Sequence, residues 1–429
     1  MRPFQRFVQT EAAAGMLLLV CAGVAIALVN SPWAGAYEHL WTPAIEIRIA
    51  NRVLSLTVRQ WINDGLMAVF FLLVGLEIKR EMLAGELAAP RQAALPIAGA
   101  IGGMLVPAAL YLILNPGGLP ARGWGIPMAT DIAFALGTLS LAATKNGIEL
   151  KVFLAALAIV DDMGAVLIIA LFYTQAITMA SLVSAATVLA ALVALNVAGV
   201  RWLSPYLVVG AVLWFFIYES GVHATIAGVL LAFTIPTRTR INTLQFTQRA
   251  RRLLLEFEQT ETGDYLMLTS KGQQEAIDAL EHASEAVTAP LLRLQRALHG
   301  FSAFVVMPLF ALSNAGVRLG SVAGSRVALG VALGLAIGKP LGITAAAFAA
   351  VKSGVAVRPR AVGWERLHAC AWLGGIGFTM SLFIANLAFE GTPLLEPAKQ
   401  GILAGSATAA VAGSWFFYRI EKRIPRRAD

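Results

Sequence analysis

The sequence is poor in cysteine and in charge. Its only two cysteines, Cys21 and Cys370, both lie in apolar stretches, so neither a disulfide framework nor a thiolate metal cluster is indicated. Charged residues make up 14% of the chain and hydrophobic residues 58%, with a mean hydropathy of +0.72. Because soluble domains are only about 45 to 50% apolar, this composition predicts an integral membrane protein.

The charge that is present is mostly basic, with a formal net charge of +8. In a chain with many spans, Lys and Arg concentrate in cytoplasmic loops, so this excess does not indicate nucleic-acid binding. The apolar stretches predict an all-α membrane protein with about twelve transmembrane helices, in one polytopic domain over 1–429 with both termini in the cytoplasm. The predicted spans are 12–30, 59–84, 94–115, 122–143, 150–174, 180–199, 204–218, 222–236, 290–314, 327–351, 364–389 and 398–419. The first stretch is long for a signal peptide, which favours an uncleaved helix.

Two segments outside the predicted spans are long enough to fold on their own. Segment 31–57 falls on the outer, periplasmic side, and alternating apolar residues at 45–58 predict a β-hairpin whose edge could pair two protomers. Segment 237–289 falls in the cytoplasm and has apolar residues at helical spacing within 246–257 and 273–287, which predicts short amphipathic helices. The sequence leaves open whether this segment is a solvated connector or a regulatory element.

Two adjacent acids, Asp161 and Asp162, are the most informative residues in the chain. They lie midway along the apolar stretch from Val152 to Phe172, which has no other charged residue. An ionised carboxylate at the centre of a membrane helix costs about 2.5 to 3.5 kcal/mol on insertion scales. Acids at this depth bind cations, relay protons or pair with a buried base, so the pair marks a functional site.

Two of the predicted spans contain helix-breaking residues at their centres. Span 122–143 is interrupted around Pro127, and span 364–389 is interrupted by a cluster of three glycines. Interrupted helices at corresponding positions of the two halves indicate a transporter site built from inverted repeats. We therefore predict inverted structural repeats whose two interrupted helices cross near the bilayer midplane.

Three further polar residues are predicted to assist at this crossing. Thr130 and Asp131 lie where the first interrupted span should unwind, so a half-helix end favours the carboxylate and the hydroxyl offers an oxygen ligand. Lys339, which precedes Pro340 in an apolar stretch, needs a carboxylate partner to stay charged. Successive helical residues point about 100 degrees apart, so only one of the adjacent acids can pair with Lys339, and Asp162 is the partner we predict.

These residues predict a cation site whose ligands also accept protons. Burial favours the neutral form of a carboxyl group, so a proton and a small hard cation such as Na+ or Li+ compete for the same oxygens. Exchange of the two ions follows if only an occupied site can switch between the membrane faces, and it needs no nucleotide or other cofactor. Cation binding would also break the pair with Lys339 and release a second proton, which would make the exchange electrogenic.

Four titratable residues near the ends of spans have less specific surroundings. Glu77 and Glu81 are four residues apart and share a helix face, which fits either an acidic funnel that concentrates cations or an ordinary solvated helix end. Asp64, on the same predicted span, is interpreted as structural. His223, at the outer end of a span, fits either an interfacial residue or a pH-dependent gate.

The chain closely resembles the NhaA family of bacterial sodium/proton antiporters over nearly its whole length. The motifs that carry the resemblance are FFLLVGLEIKRE, PMATDIAFALG, ALAIVDDMGAV, SGVHATIAGV, PLFALSNAGV, IGKPLG and GIGFTMSLFI. The resemblance implies pH-regulated exchange of Na+ or Li+ for protons, twelve helices, an inner-membrane location and often a homodimer through the outer hairpin. By the family pattern, Asp161 and Asp162 bind the cation, Thr130 and Asp131 assist at the crossing, and Lys339 compensates charge.

The chain departs from the family at the cytoplasmic start of the ninth span. There the family typically has a Glu-His pair a few residues before another His, as part of its pH response. This chain has Gln295 and Arg296 in place of the pair and retains only His299, which puts the pH threshold of activation in doubt. The residues assigned to the acidic funnel and pH response are Glu77, Glu81, His223 and His299.

Three other classes of membrane protein fit the sequence less well. An intramembrane aspartyl protease needs two acids on separate helices, typically one of them in a GxGD motif, and the sequence has no GxGD. A sodium-coupled symporter of organic anions would use a larger polar cavity and would not need Lys339 beside the acids. A passive cation channel is disfavoured by the interrupted helices.

Overall fold

Helices dominate the computed structural model, which describes residues 3–49, 52–142, 147–174, 177–239, 241–259, 271–320, 324–359 and 362–423. A helix satisfies its backbone hydrogen bonds internally, which is why apolar stretches of this length fold as helices in a membrane. The helices, numbered in chain order, are α1 (Pro3–Val29), α2 (Ala34–His39), α3 (Val58–Gln60), α4 (Met67–Ala84), α5 (Pro90–Leu114), α6 (Gly118–Ala121), α7 (Ile132–Ala142), α8 (Gly147–Phe172), α9 (Met179–Val197), α10 (Leu203–Glu219), α11 (Ile226–Thr234), α12 (Thr243–Gln259), α13 (Lys271–Val287), α14 (Pro290–Phe301), α15 (Met307–Asn314), α16 (Arg326–Leu333), α17 (Lys339–Lys352), α18 (Trp364–Gly374), α19 (Phe378–Phe389) and α20 (Leu395–Arg423).

Within the described residues, six helical stretches are long and apolar enough to cross a membrane, and eight are if each of two bent helix pairs counts as one span. Three of the six are single helices, α5, α8 and α9. The other three join α3 to α4, α14 to α15 and α16 to α17 through short π-helical segments. The prediction of a helical multi-pass membrane protein is confirmed, and the number twelve stays a prediction.

Both spans that the sequence marks as interrupted are bent. The first runs through α6 and a 3-10 segment, Arg122–Met128, and resumes as α7 after a short nonhelical stretch, with a bend of 44°. The second bends by 44° between α18 and α19. Pro127 lacks a backbone N–H, and glycine is a poor helix former, so the interruptions fall where these residues predict them.

The two breaks touch each other inside the largest buried apolar cluster, which includes Ala129, Leu335 and Ile376. The backbone N–H of Asp131 donates a hydrogen bond to the carbonyl of Ile376 at 2.7 Å. A Cβ atom at Gly377 would lie 2.9 Å from the carbonyl oxygen of Ala129, so this approach requires glycine. The unwound backbone of one span is thus partly satisfied by the other.

Helix α17, which begins with Lys339, is fixed closely against α5. A Cβ atom at Gly102 would lie 2.2 Å from the carbonyl oxygen of Gly342, and one at Gly342 would lie 2.1 Å from that of Gly102, so only glycine permits this backbone contact. A π-helical segment, Gly334–Gly338, precedes Lys339, and Pro340 has no N–H to donate to the preceding turn. Together these features set the direction of the Lys339 side chain.

The two segments between the predicted spans contain regular secondary structure. Strands β1 (Ala44–Ile49) and β2 (Arg52–Thr57) form an antiparallel hairpin, and the long segment contains α12 and α13, which pack on each other. Residues 50–51 and 260–270 lie outside the described residues. The stretch from α3 to α4 starts directly after the hairpin and ends beside Ile235, just before the long segment. We therefore call the two opposite ends of the molecule the hairpin end and the connector end.

Candidate cation and proton site

Asp131 lies between the starts of two half-helices. Its Oδ1 accepts a hydrogen bond from the backbone N–H of Phe134 in α7 at 3.1 Å. Its Oδ2 accepts from the backbone N–H of Thr379 in α19, at 3.1 Å, and from the Thr379 hydroxyl. Helix starts carry unsatisfied N–H groups and the positive end of the helix dipole. Both broken spans therefore direct a positive end at this one carboxylate.

Thr130 joins the first break both to α8 and to the second break. Its hydroxyl oxygen lies 2.7 Å from Asp161 Oδ2 and 2.8 Å from the carbonyl oxygen of Gly374. A hydroxyl group has a single hydrogen, so Thr130 can donate to only one of these acceptors at a time. The Thr130 hydrogen can therefore move between a titratable carboxylate and the carbonyl that ends α18.

Lys339 pairs with Asp161 and not with Asp162, so our prediction of its partner is wrong. Its Nζ lies 2.6 Å from Asp161 Oδ2, and the two side chains are 0% and 1% exposed. Nζ also donates to the carbonyl of Met128, which ends the 3-10 segment. Residue spacing shows that adjacent acids diverge, but the rotation of α8 about its axis decides which acid faces α17. That rotation depends on packing between α8 and α5.

Two carboxylate oxygens in the site accept no hydrogen bond from the described residues. They are Oδ1 of Asp161 and Oδ1 of Asp162, and both are buried. Buried polar atoms nearly always have a partner, so these exceptions indicate a place for a ligand. Asp162 interacts electrostatically with three other carboxylates, those of Asp161, Glu77 and Asp131, and with one ammonium group, that of Lys339. The surplus of negative charge favours a proton or a cation at these oxygens.

Sequence reasoning missed two residues that hold the second break. Thr379 is the partner of Asp131, and its position two residues after Gly377, in the first turn of the restarted helix, was a usable signal. Ser406, in α20, accepts hydrogen bonds from the backbone N–H groups of Gly377 at 3.3 Å and Phe378 at 3.2 Å. It caps the start of α19 from a different helix, and no local pattern identifies such a contact.

At the connector end, Glu77 and Glu81 have different partners. Gln295 Nε2, in α14, donates to Glu77 Oε1 at 3.4 Å. Glu81 instead pairs with Arg80 at 2.8 Å and accepts from the backbone N–H of Glu86 at 3.0 Å. Of these two acids, Glu77 is the one that interacts electrostatically with Asp162. Glu81 instead stabilises the C-terminal end of α4 by accepting the hydrogen bond from Glu86.

The three residues at the departure from the family pattern all lie on α14. Gln295 is buried, Arg296 is exposed and His299 is half-buried. The structure thus brings the substituted Gln295, with its neutral amide, into contact with an acid near the site.

A cavity of about 1280 Å³ lies at the hairpin end. Asp64 and His223 line it, with 3.5 Å between His223 Nε2 and Asp64 Oδ1. His223 lies in the turn between α10 and α11, its side chain is 12% exposed, and its ring packs on Phe383 with 5.4 Å between centroids. Phe383 lies one turn of α19 after Thr379, which contacts Asp131 at the second break. His223 is therefore linked to the second break through its contact with Phe383.

Buried acids and a buried base, held between two broken helices of a multi-pass membrane protein, are typical of ion-coupled secondary transporters. The fold and the site define the protein as a member of this class.

Comparison with known proteins identifies the transporter more closely. The chain matches the family model described as Na+/H+ antiporter 1 over residues 5–417 and belongs to that family. Curated relatives include the Na(+)/H(+) antiporter NhaA of Oleidesulfovibrio alaskensis, 48% identical over 96% of this chain and 92% of the relative. The NhaA proteins of Koribacter versatilis (47%, over 97% and 91%) and Wolinella succinogenes (44%, over 99% and 94%) are similar in extent. The predicted resemblance is confirmed: the protein is a Na+/H+ antiporter and not an enzyme, and the family implies no cofactor.

Proposed function

We propose that the protein carries cytoplasmic Na+ or Li+ outward in exchange for external protons, with Asp161 and Asp162 as the exchange site. The observation that carries this proposal is the pair of buried carboxylate oxygens, one on each acid, that accept no hydrogen bond from the described residues. A proton or a small hard cation can satisfy these oxygens. Because each neutralises the same negative charge, the two ions bind in competition.

The Thr130 hydroxyl can change its hydrogen-bond partner when a cation binds. With no cation bound, its hydroxyl donates to the ionised Asp161, 2.7 Å away. When a cation occupies that carboxylate, the hydroxyl can turn its hydrogen to the Gly374 carbonyl, 2.8 Å away, and offer its lone pairs to the ion. The cation thus gains a third oxygen ligand beside the two acids. Asp131 assists by holding the starts of both half-helices in place.

Lys339 supplies a second proton for exchange. Its ammonium lies 2.6 Å from Asp161 Oδ2, so a cation that binds this carboxylate meets a like charge at short range and in a medium of low dielectric constant. Release of a proton from the ammonium removes this repulsion. With the proton displaced from Asp162, two protons leave for each Na+ that binds, and the exchange of two H+ for one Na+ moves net charge across the membrane.

The proposed architecture is one domain of about twelve spans with inverted repeats, in the bacterial inner membrane. The contact between the two 44° breaks supports a crossing near the midplane, about which the helices rock to expose the site to each face in turn. The hairpin end would face outward, and the connector end, with 237–289 and both termini, would lie in the cytoplasm. Strand edges of the hairpin would join two copies of the chain in a homodimer.

The pH response is proposed to involve groups on both sides of the site. Glu77 repels the charge of Asp162 electrostatically. Glu81 and His299 lie, like Glu77, at the connector end of the molecule. His223 faces Asp64 at the opposite end; Asp64 keeps the structural role that we predict for it.

Exchange in everted membrane vesicles tests the proposed site. Addition of Na+, Li+ or K+ between pH 6 and 9 is followed by the recovery of a dye that reports the pH gradient. Asp162→Asn should abolish the Na+ and Li+ responses at every pH, because an amide neither binds a proton nor carries charge. Glu149→Gln, on the same helix outside the site, is the matched control and should exchange normally. Normal exchange by Asp162→Asn would remove the proposal.

A further inference from the structure

The long polar segment between α11 and α14, residues 237–289, exposes apolar side chains on one helix only. We call this segment the connector. Among its described residues, the large apolar side chains that are exposed are Leu244, Leu254 and Leu255, all on α12, at 67%, 52% and 51%. The apolar side chains of α13 are half-buried or buried. Single exposed leucines are ordinary on a protein surface, so the arrangement of these three on α12 decides what they indicate.

Helix α12 has one face for α13 and another for its surroundings. The first face consists of four half-buried apolar residues at helical spacing, Phe246, Ala250, Leu253 and Phe257. A second set lies roughly a third of a turn away around the helix. Its members, which we call the outer face of α12, are Leu244, Arg251, Leu254 and Leu255, and all four are exposed. The exposed leucines are therefore not scattered but share one face with a basic residue.

The charges of the two connector helices are separated. Helix α12 carries three exposed arginines, Arg249, Arg251 and Arg252, and its two acids, Glu256 and Glu258, come only in the last turn. Helix α13 carries four acids and one lysine. The longer, N-terminal part of α12 is thus purely basic. Exposed leucines beside exposed arginines are typical of a helix that lies in the headgroup layer of an anionic membrane.

The chain that leads into α12 runs along the edge of the bundle that faces lipid. The side chain of Asn196, near the end of α9, donates to the carbonyl of Thr234 at the end of α11, at 2.5 Å. Arg201, in the turn after α9, donates to the carbonyl of Thr239, four residues before α12 begins. The apolar stretch of α9 is 17% buried, against 39 to 61% for the other five candidate spans of the described residues. The connector therefore leaves the bundle beside the span that is most exposed to lipid.

Both ends of the connector hold its helices close to the spans. Eight residues separate α11 from α12, and two separate α13 from α14. The backbone N–H of Ile241 donates to the carbonyl of Ala286 at 3.3 Å, which ties the start of α12 to the end of α13. Glu285, in α13, pairs with Arg293 in α14 at 2.8 Å. With both ends held in this way, the lipid around α9 is the surface nearest to the start of α12.

We propose that the outer face of α12 lies on the membrane surface, with its leucines in the interfacial layer and Arg251 at the phosphates of anionic lipids. The bilayer fits this face better than a second copy of the chain does, because a symmetric pair would bring arginine against arginine. The connector is then a membrane-bound element and not a solvated one. This inference concerns a contact outside the exchange site and does not depend on which residues carry Na+.

A fluorescent NBD group attached at Leu255→Cys tests the contact in the full-length transporter. Cys21→Ser and Cys370→Ala remove the two natural thiols. The protein is placed in nanodiscs of phosphatidylcholine, with or without phosphatidylglycerol. With phosphatidylglycerol, the emission should shift to the blue and should be quenched by lipids that carry a nitroxide near the headgroup. The matched control is a label at Arg249→Cys, which is exposed on the other side of α12 and should stay in water in both membranes.

The role of Arg251 is measured in the same labelled protein. Arg251→Gln should lower the ratio of bound to free α12 about 5-fold, the effect expected of one basic residue near an anionic surface. Arg249→Gln removes the same charge from the other side of the helix and should lower the ratio less. Raising the KCl concentration should also lower the ratio, because salt screens exposed charges.

Three results would overturn the inference. They are equal emission from the labels at 255 and 249 in the anionic membrane, a blue shift that is the same without phosphatidylglycerol, and a blue shift without quenching by the nitroxide lipids, which would place the face against protein. Na+ exchange by each labelled protein is measured alongside as a check of folding. Asp162→Asn should abolish exchange and keep the blue shift, so the failure of either proposal leaves the other testable.

Discussion

The pairing of Lys339 with Asp161 predicts an energetic coupling that Asp162 should not share. Removing one partner of a buried ion pair costs about 3 to 5 kcal/mol, since the other charge stays buried without compensation. Lys339 and Asp161 are 0% and 1% exposed, so solvent screening reduces this figure little. Lys339→Met and Asp161→Asn should therefore each destabilise the fold by this amount, and the double variant should cost little more than one of them. The expected coupling is about 3 kcal/mol.

The assay is reversible unfolding in mixed detergent micelles, followed by the fluorescence of the nine tryptophans. The control is the double-variant cycle of Lys339→Met with Asp162→Asn. Its coupling energy should be about 1 kcal/mol or less, because Lys339 interacts with Asp162 electrostatically and forms its ion pair with Asp161. A coupling to Asp162 as large as that to Asp161 would refute the reasoning.

Three further predictions concern the surroundings of the site. Gln295→Glu would place a second carboxylate 3.4 Å from Glu77, so one of the two acids should hold its proton longer and the pH midpoint of exchange should rise by about one unit; an unchanged midpoint would mean that this contact does not affect exchange. Ser406→Ala removes the acceptor for two N–H groups at the second break, which should raise the KM for Na+ about 5- to 100-fold, and Ser406→Thr should restore it; equal KM values in both variants would contradict the capping role. Under the proposed mechanism, Lys339→Ala would remove one of two exchanged protons, so exchange in vesicles clamped with valinomycin and K+ should lose its dependence on membrane potential. Lys352→Ala, on the same helix, should keep that dependence; a potential-driven Lys339→Ala would show that the second proton comes from elsewhere.

The parts of the fold that could be predicted have local causes. Pro127 and the glycines at 374–377 interrupt their spans whatever surrounds them, because the missing N–H and the poor helix propensity belong to these residues themselves. The hairpin and the two connector helices likewise follow from the spacing of apolar residues within each segment. The acid pair stands out because charge in the centre of a long apolar stretch is costly.

The parts that could not be predicted depend on contacts between distant segments. The choice of Asp161 over Asp162 as the partner of Lys339 follows from the rotation of one helix against its neighbours, and a rotation of about 100 degrees would exchange the two acids. Ser406 contacts a helix that its own sequence neighbourhood does not identify. A serine in an apolar helix has many uses, and only its partner decides which one applies.

The adjacency of the two acids has a physical reason under the proposed mechanism. A single acid beside Lys339 would be neutralised by the ammonium and would have little affinity left for a cation. Two acids four residues apart would share a helix face, and both would meet the ammonium. Adjacent positions diverge by about 100 degrees, so Asp161 can hold Lys339 and Thr130 through Oδ2 while Asp162 has no bonded base among the described residues. Within the same residues, each acid keeps one buried oxygen that accepts no hydrogen bond. In the proposed mechanism, a cation between those two oxygens would contact one acid that must release a base and one that must release a proton, and the geometry of a single helix turn would thereby couple its binding to two protons.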